Sequence, residues 1–281
     1  MENRNLTVDQ LAAFAAYLRR EERSAGTIEK YLRDVHAFCR WLHGRPVDKA
    51  CAAAWKAHLL ERGYAPVTIN GMLSSLNSLL RFLGWQDCRV KFLHIQRRLF
   101  RDASRELTRA EYMRLLETAQ ARGQARLALL METICATGIR VSEVKYITLE
   151  AVRRGRAEIA LKGKIRTILL PAKLCRKLKQ YAKQQKTASG EIFLTQGSRS
   201  LSRKQIWAEL KALCRRAKVE PTKVFPHNLR HLFARVFYQA CRDVVKLTDV
   251  LGHSSIETTR IYLISTGTEH AKTLARLGLV S

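Results

Sequence analysis

Residues 227–262 read HNLRHLFARVFYQACRDVVKLTDVLGHSSIETTRIY. Pro226 precedes this stretch and predicts a helix that carries His227, Arg230 and His231. Asp243 to Leu251 reads as a short helix closed by Gly252. Ser254-Ser255-Ile256-Glu257 fits a capping box, so a third helix is expected immediately after His253, carrying Tyr262 nine residues beyond that histidine. Together these side chains suit work on an anion. The planar fork of an arginine holds two oxygens at once, an imidazole moves a proton, and a phenol is a competent covalent nucleophile. Singly they carry little weight: a lone arginine is more often a surface charge, and a lone tyrosine a half-buried aromatic. His231 reads as local structure rather than as part of the site.

Upstream, Thr108-Arg109-Ala110-Glu111 is a capping box that opens a helix. A further helix covers roughly 124–136, stopped at Thr137-Gly138, and another follows Ser142-Glu143. The period then changes from helical to alternating. Residues 157–161 and 166–170 flank Lys162-Gly163-Lys164 and predict a β-hairpin with lysines at its tip. Helices resume at about 172–185 and 203–217, the second capped by Ser202 with Gln205. The first part of the chain is helical throughout. Thr7 and Gln10 fit a capping box, and apolar residues recur at helical spacing over 6–20, 27–42, 49–63 and 66–83. The expected fold is mainly α: a helical bundle over residues 1–88, a basic linker over 89–105, and a mostly helical domain with a small hairpin over 106–281. A short tail helix with Leu274, Leu277 and Leu279 is expected to end it.

The 281 residues contain 51 Lys and Arg against 24 Asp and Glu, a formal charge of +27. The excess is distributed, with 16 basic and 9 acidic side chains in residues 1–98 and 35 and 15 in the remainder. Charge spread over two folded halves implies a broad surface facing a polyanion, with nucleic acid the leading candidate. No helix sets Lys and Arg opposite a strongly apolar face, which disfavours a membrane surface. Seven cysteines without a CxxC pair read as reduced thiols of a cytoplasmic protein. Neither an export signal nor an apolar run long enough to span a bilayer is present in the sequence.

A phosphodiester under attack gathers charge on its non-bridging oxygens, so fixed cationic donors are needed around it. Arg140, in TGIRVSE, and Arg230 are the candidates. The leaving 5′ oxygen needs a proton, which Lys162 at the hairpin tip or His227 and His253 could supply. Tyr262 would be the nucleophile. The sequence contains no HExxH, no GxxxxGK[ST] and no clustered carboxylates, so no metal and no cofactor is expected.

In combination, TGIRVSE, the basic hairpin, HNLRH and LGHSSIETTRIYL resemble the tyrosine recombinases in order and spacing, including phage and transposon integrases and Xer-type resolvases. The resemblance covers the whole chain. It implies a helical core-binding domain followed by a catalytic domain, closing on duplex DNA as a C-shaped clamp. It implies a site of Arg140, Lys162, His227, Arg230, His253 and Tyr262, with Lys164 the alternative lysine because LKGKIRT is shorter than the family's usual hairpin. In that family the arginines bind the scissile phosphate, and the tyrosine leaves a 3′-phosphotyrosine and a free 5′ hydroxyl without metal or ATP. A homotetramer then exchanges strands on two DNA sites through a Holliday junction, and accessory DNA-bending proteins are further candidate partners. Two rivals remain at this stage. One is a type IB topoisomerase-like enzyme using the same residues, and the other a non-catalytic DNA-binding regulator on the same scaffold.

Overall fold

The computed structural model describes residues 4–95, 103–161, 164–262 and 275–276. The tail helix expected after Tyr262, the middle of the expected linker, and Lys162 with Gly163 lie outside the described residues. The chain divides into two compact units, Met1–Arg97 and Arg98–Ser281.

In the first unit, α1 spans Val8–Arg20, α2 Ala25–Leu42, α3 Lys49–Glu61 and α4 Pro66–Phe82. Local chemistry sets the ends. Thr7 accepts from the Gln10 N–H at 3.2 Å while the Gln10 amide oxygen accepts from the Thr7 N–H at 3.1 Å. Asp48 accepts from the Cys51 N–H at 2.6 Å. Helix α2 starts two residues earlier than its apolar period suggested, because Ser24 takes the N-cap position and its hydroxyl bonds that of Thr27 at 2.9 Å. Phe38, Trp55, Leu59, Ile69 and Leu73 fill one core, each removed from water at a gain of about 1.5–3 kcal/mol. Phe14, Leu18, Val35 and Leu79 fill the other. One carboxylate is also buried: Asp34 accepts from Lys30 at 2.7 Å and Ser75 at 3.0 Å, tying α2 to α4. The chain after α4 is held by two asparagines. Asn77 donates to the Val90 carbonyl and accepts from its N–H, both at 2.9 Å, and Asn70 does the same for Leu93 at 2.9 and 2.8 Å.

In the second unit, α5 covers Arg109–Ala121 and α6 Ala125–Thr137. Residues 127–131 on α6 are all buried, as befits a helix covered on every side. A continuous helix was expected after Ser142-Glu143. Instead a 3-10 turn, Val141–Tyr146, precedes a separate α7, Leu149–Arg154, capped by Thr148. Ile147 and Thr148 break the helix because their backbones bond to Ile192 and bridge to Glu191. Strands β1, Arg156–Leu161, and β2, Lys164–Leu169, pair antiparallel with Leu161 opposite Lys164. Lys164 therefore belongs to the ladder and not to the tip. Then come α8, Ala172–Gln184, α9, Arg203–Ala217, α10, Pro226–Cys241, α11, Val244–Leu251, and α12, Ile256–Arg260. Pro226 lies inside α10 as its first residue, where a missing N–H costs nothing. Helix α10 packs on α6, and Arg230 near the start of α10 donates to the carbonyl of Gly138 at the end of α6.

Candidate active site around Tyr262

Three segments meet at this site: the chain leaving α6, strand β2, and the run from α10 to Tyr262. After Gly138 the backbone is extended at Arg140 (φ −75°, ψ 147°) and then turns. The turn buries Glu143, 2% exposed, which gathers three donors. Its carboxylate accepts from the Arg140 N–H at 2.9 Å, from Arg140 Nη1 at 3.0 Å and from Arg166 Nη2 at 2.7 Å. Two guanidiniums on one carboxylate leave a net positive charge facing the cleft. Arg166 reaches across from β2 and also donates to the Leu251 carbonyl. Its pKa is lowered by burial, with Glu143 opposing the shift and Arg140 adding to it.

Arg230, in the first turn of α10, is 1% exposed. Its Nη1 donates to the Gly138 carbonyl, and Nη2 donates to Leu251 O at 2.8 Å and to His253 Nε2 at 2.9 Å. Its buried Nε has no partner. Burial, then the charge of Arg140, lowers its pKa to about 10, against a hydrogen bond with Tyr262 that raises it. Arg230 is thus still a cation at neutral pH.

The protonation of His253 follows from its neighbours. An arginine only donates, so Nε2 carries the lone pair and the proton sits on Nδ1. Nδ1 then donates to Thr259 Oγ1 at 2.8 Å, and the fully buried Thr259 hydroxyl lies 2.9 Å from that of Thr248. Burial, followed by the charges of Arg230, Arg140 and Arg166, lowers the pKa of His253 to about 4, so the ring is neutral at pH 7. His227 shifts the same way, first by desolvation and then by Arg230 and Arg140, although solvent reaches this residue.

Tyr262 is 2% exposed. It was expected on a helix beginning right after His253. The helix starts later, at Ile256, because Ser255 rather than Ser254 takes the cap and accepts from the Glu257 N–H at 3.2 Å. Tyr262 sits in the turn beyond Arg260. Its ring stacks on His253 at 5.6 Å and 11°, meets His231 edge-on at 4.4 Å, and lies 6.0 Å from His227. On its other side it joins the apolar cluster of Ala234, Leu247 and Leu251. The ring contact with His231 corrects the reading of that residue as merely local.

The structure thus brings together Arg140, His227, Arg230, His253 and Tyr262, and leaves Lys162 outside the described residues. A cleft of about 440 Å³ opens beside them, lined by Arg140, Arg203, Trp207, Phe225, His227 and Arg230. The sequence reading missed Glu143, Arg166 and Thr259. Glu143 was visible in TGIRVSE as a possible cap three residues after Arg140, but nothing local marked Arg166 or Thr259 as its companions. Among the described residues no group of three or more His, Cys, Asp or Glu side chains is placed to hold a metal ion.

Comparison with known proteins gives consistent results. The model of the phage integrase family matches residues 105–269, and that of the phage integrase N-terminal SAM-like domain matches residues 11–87. The chain is 27% identical to the tyrosine recombinase XerA of Pyrococcus furiosus, over 100% of this chain and 98% of that protein. It is 30% identical to XerA of Thermococcus kodakarensis, over 89% of this chain and 88% of that one. Its fold matches that of the XerH site-specific recombinase bound to its difH substrate with a TM-score of 0.69. That match is at 20% identity and covers 95% of this chain and 84% of XerH.

Proposed function

The chain belongs to the phage integrase family and is a site-specific tyrosine recombinase acting on double-stranded DNA, and we propose that Tyr262 is the nucleophile with which it cuts and rejoins strands. The observation that carries this assignment is the enclosure of the Tyr262 ring by His227, His231 and His253, with Arg230 hydrogen-bonded to the last of these. No other described tyrosine has such company.

In the proposed reaction the phenol oxygen attacks the scissile phosphorus, the bond to the 5′ oxygen breaks, and a 3′-phosphotyrosine results. Arg140 and Arg230 neutralise the charge that builds on the non-bridging oxygens. Glu143 supports this by orienting Arg140 without cancelling both guanidiniums. His227, whose pKa is lowered by desolvation and by Arg230 and Arg140, is the acceptor for the phenol proton. Lys162 is the donor to the departing 5′ oxygen, with Lys164 the alternative. Rejoining reverses the steps: a 5′ hydroxyl attacks the phosphotyrosine and the phenol leaves. The bond energy stays in the ester, so neither ATP nor a metal is required. Exchange between two sites through a Holliday junction calls for four such subunits, a homotetramer that accessory DNA-bending proteins would help assemble. A cytoplasmic location suits a chain whose described residues hold seven free cysteines.

The test is covalent trapping. The protein and its Tyr262→Phe variant are incubated with fragmented DNA without metal or ATP and denatured, and the protein-linked fragments are sequenced. Linked DNA with the native chain and none with the variant is expected. Linkage that persists in Tyr262→Phe would overturn the assignment.

A further inference from the structure

The catalytic site uses only part of the basic surface of the second unit. Contrary to the sequence reading, one helix does set Lys and Arg opposite an apolar face: α8 buries Leu174, Leu178, Tyr181 and Ala182 and exposes Lys173, Arg176, Lys179 and Lys183. It contains no acidic residue, and Lys186 follows just beyond it. Helix α7 packs against α8 and ends in exposed Arg153 and Arg154. Among the described residues, Lys177, at the margin, is the one α8 cation with a carboxylate within ion-pair distance, that of Glu132 on α6. Arg176, Lys179 and Lys183 stand at i, i+3 and i+7, so they form one stripe. With a rise of about 1.5 Å per residue it is about 10 Å long. A duplex presents a phosphate about every 3.4 Å of axis on each strand, so the stripe matches about three.

Resting on the reading that this protein acts on DNA, we propose that the outward face of α8 and the end of α7 form a second DNA-binding surface. It holds duplex outside the segment that is cut. Among the described residues, no α8 residue lines the cleft at Arg140 and Arg230 or belongs to the apolar cluster that includes Tyr262. No large apolar side chain is exposed on α8, so the face has nothing to insert into a lipid surface or to bury against an apolar protein partner. A face of exposed cations and glutamines, with no carboxylate on its own helix, suits a sequence-independent polyanion.

The test compares the native chain with a triple variant, Arg176→Gln, Lys179→Gln and Lys183→Gln, whose thermal midpoint is checked first. Two duplexes serve as probes: one trimmed to the stretch around the Tyr262-linked nucleotide, and the same stretch with about 60 base pairs on each side. The variant is expected to match the native chain on the trimmed duplex in both affinity and linkage yield. On the flanked duplex it should bind about tenfold more weakly, with a slope of log K against log salt shallower by up to about 2.7, from three contacts at about 0.9 each. Unchanged binding to both duplexes would overturn the proposal. So would equal weakening on both, which would assign the face to the cut segment itself. Absence of linkage with the native chain would instead count against the role given to Tyr262, so the two failures are distinct.

Discussion

Replacing Gly252 with alanine tests how tightly the site is coupled to the backbone that builds it. Gly252 ends α11 at φ +60°, a region that costs an L-residue about 1–2 kcal/mol. Its missing Cβ also leaves room for the side chain of Arg166, and a methyl group there would overlap the guanidinium. That guanidinium bonds Glu143 at 2.7 Å and the Leu251 carbonyl, and its side chain is 13% exposed, so water replaces these bonds poorly. Losing one charge-assisted bond costs about 1.5–3 kcal/mol. The sum is about 2.5–5 kcal/mol, or a fall of roughly 5–20 °C in the midpoint of a unit of this size. Gly155→Ala is the control. It has φ +72° and nothing within 4 Å of the added Cβ, so only the backbone cost of about 1–2 kcal/mol applies. Differential scanning calorimetry of both variants isolates the Arg166 contribution. Equal losses in the two would refute the reasoning. So would strict additivity of Gly252→Ala with Arg166→Ala, because removing the arginine removes the collision.

Three further outcomes are expected. Thr259→Val strips the partner from His253 Nδ1 and should slow strand cleavage by roughly ten- to hundredfold with DNA affinity unchanged, whereas Thr259→Ser keeps native rates; a single-turnover cleavage assay decides, and a native rate in the valine variant would mean the hydroxyl is dispensable. His253 titrates near 4 when folded and near 6.5 when unfolded, so below pH 6.5 the unfolded chain takes up a proton that the folded one refuses. Stability present at pH 7 is therefore lost progressively as pH falls from 6.5 towards 4, and calorimetry across that range should show the catalytic unit's midpoint falling more steeply in the native chain than in His253→Gln. Asp34→Ala leaves Ser75 without its carboxylate partner and Lys30 with only the Gly71 carbonyl and Ser75, costing the helical unit about 2–3 kcal/mol in urea unfolding, and a cost below ~0.5 kcal/mol would show that the buried carboxylate is not supporting α2 on α4.

What could be read from the sequence was what neighbours in sequence decide. Thr7 with Gln10, Thr108 with Glu111 and Ser202 with Gln205 each close a capping box within three residues, and all three are present. The helical character of both units and the hairpin were legible for the same reason. Long-range closure was not. Arg230 meets His253, and Glu143 meets Arg166, across 23 residues in each case, and neither pair leaves a periodic trace. Even local chemistry misled where two residues compete: Ser254 and Ser255 could both cap, and the second one does, shortening the helix and leaving Tyr262 in a turn. His231 was set aside because a second histidine beside Arg230 has no distinguishing spacing; only the return of the chain to Tyr262 brings the rings together.

The enclosure of Tyr262 makes reactivity a question of populations. At 2% exposure Tyr262 offers a phosphodiester almost no surface, so attack favours a conformation in which more of the residue is open. Were the open form one molecule in a hundred, cleavage would slow a hundredfold, an offset of about 2.7 kcal/mol. A duplex that binds the open form preferentially recovers that factor, and one that binds both forms alike does not. Fidelity can then be exercised by releasing the tyrosine, after binding and independently of how many bases the protein touches.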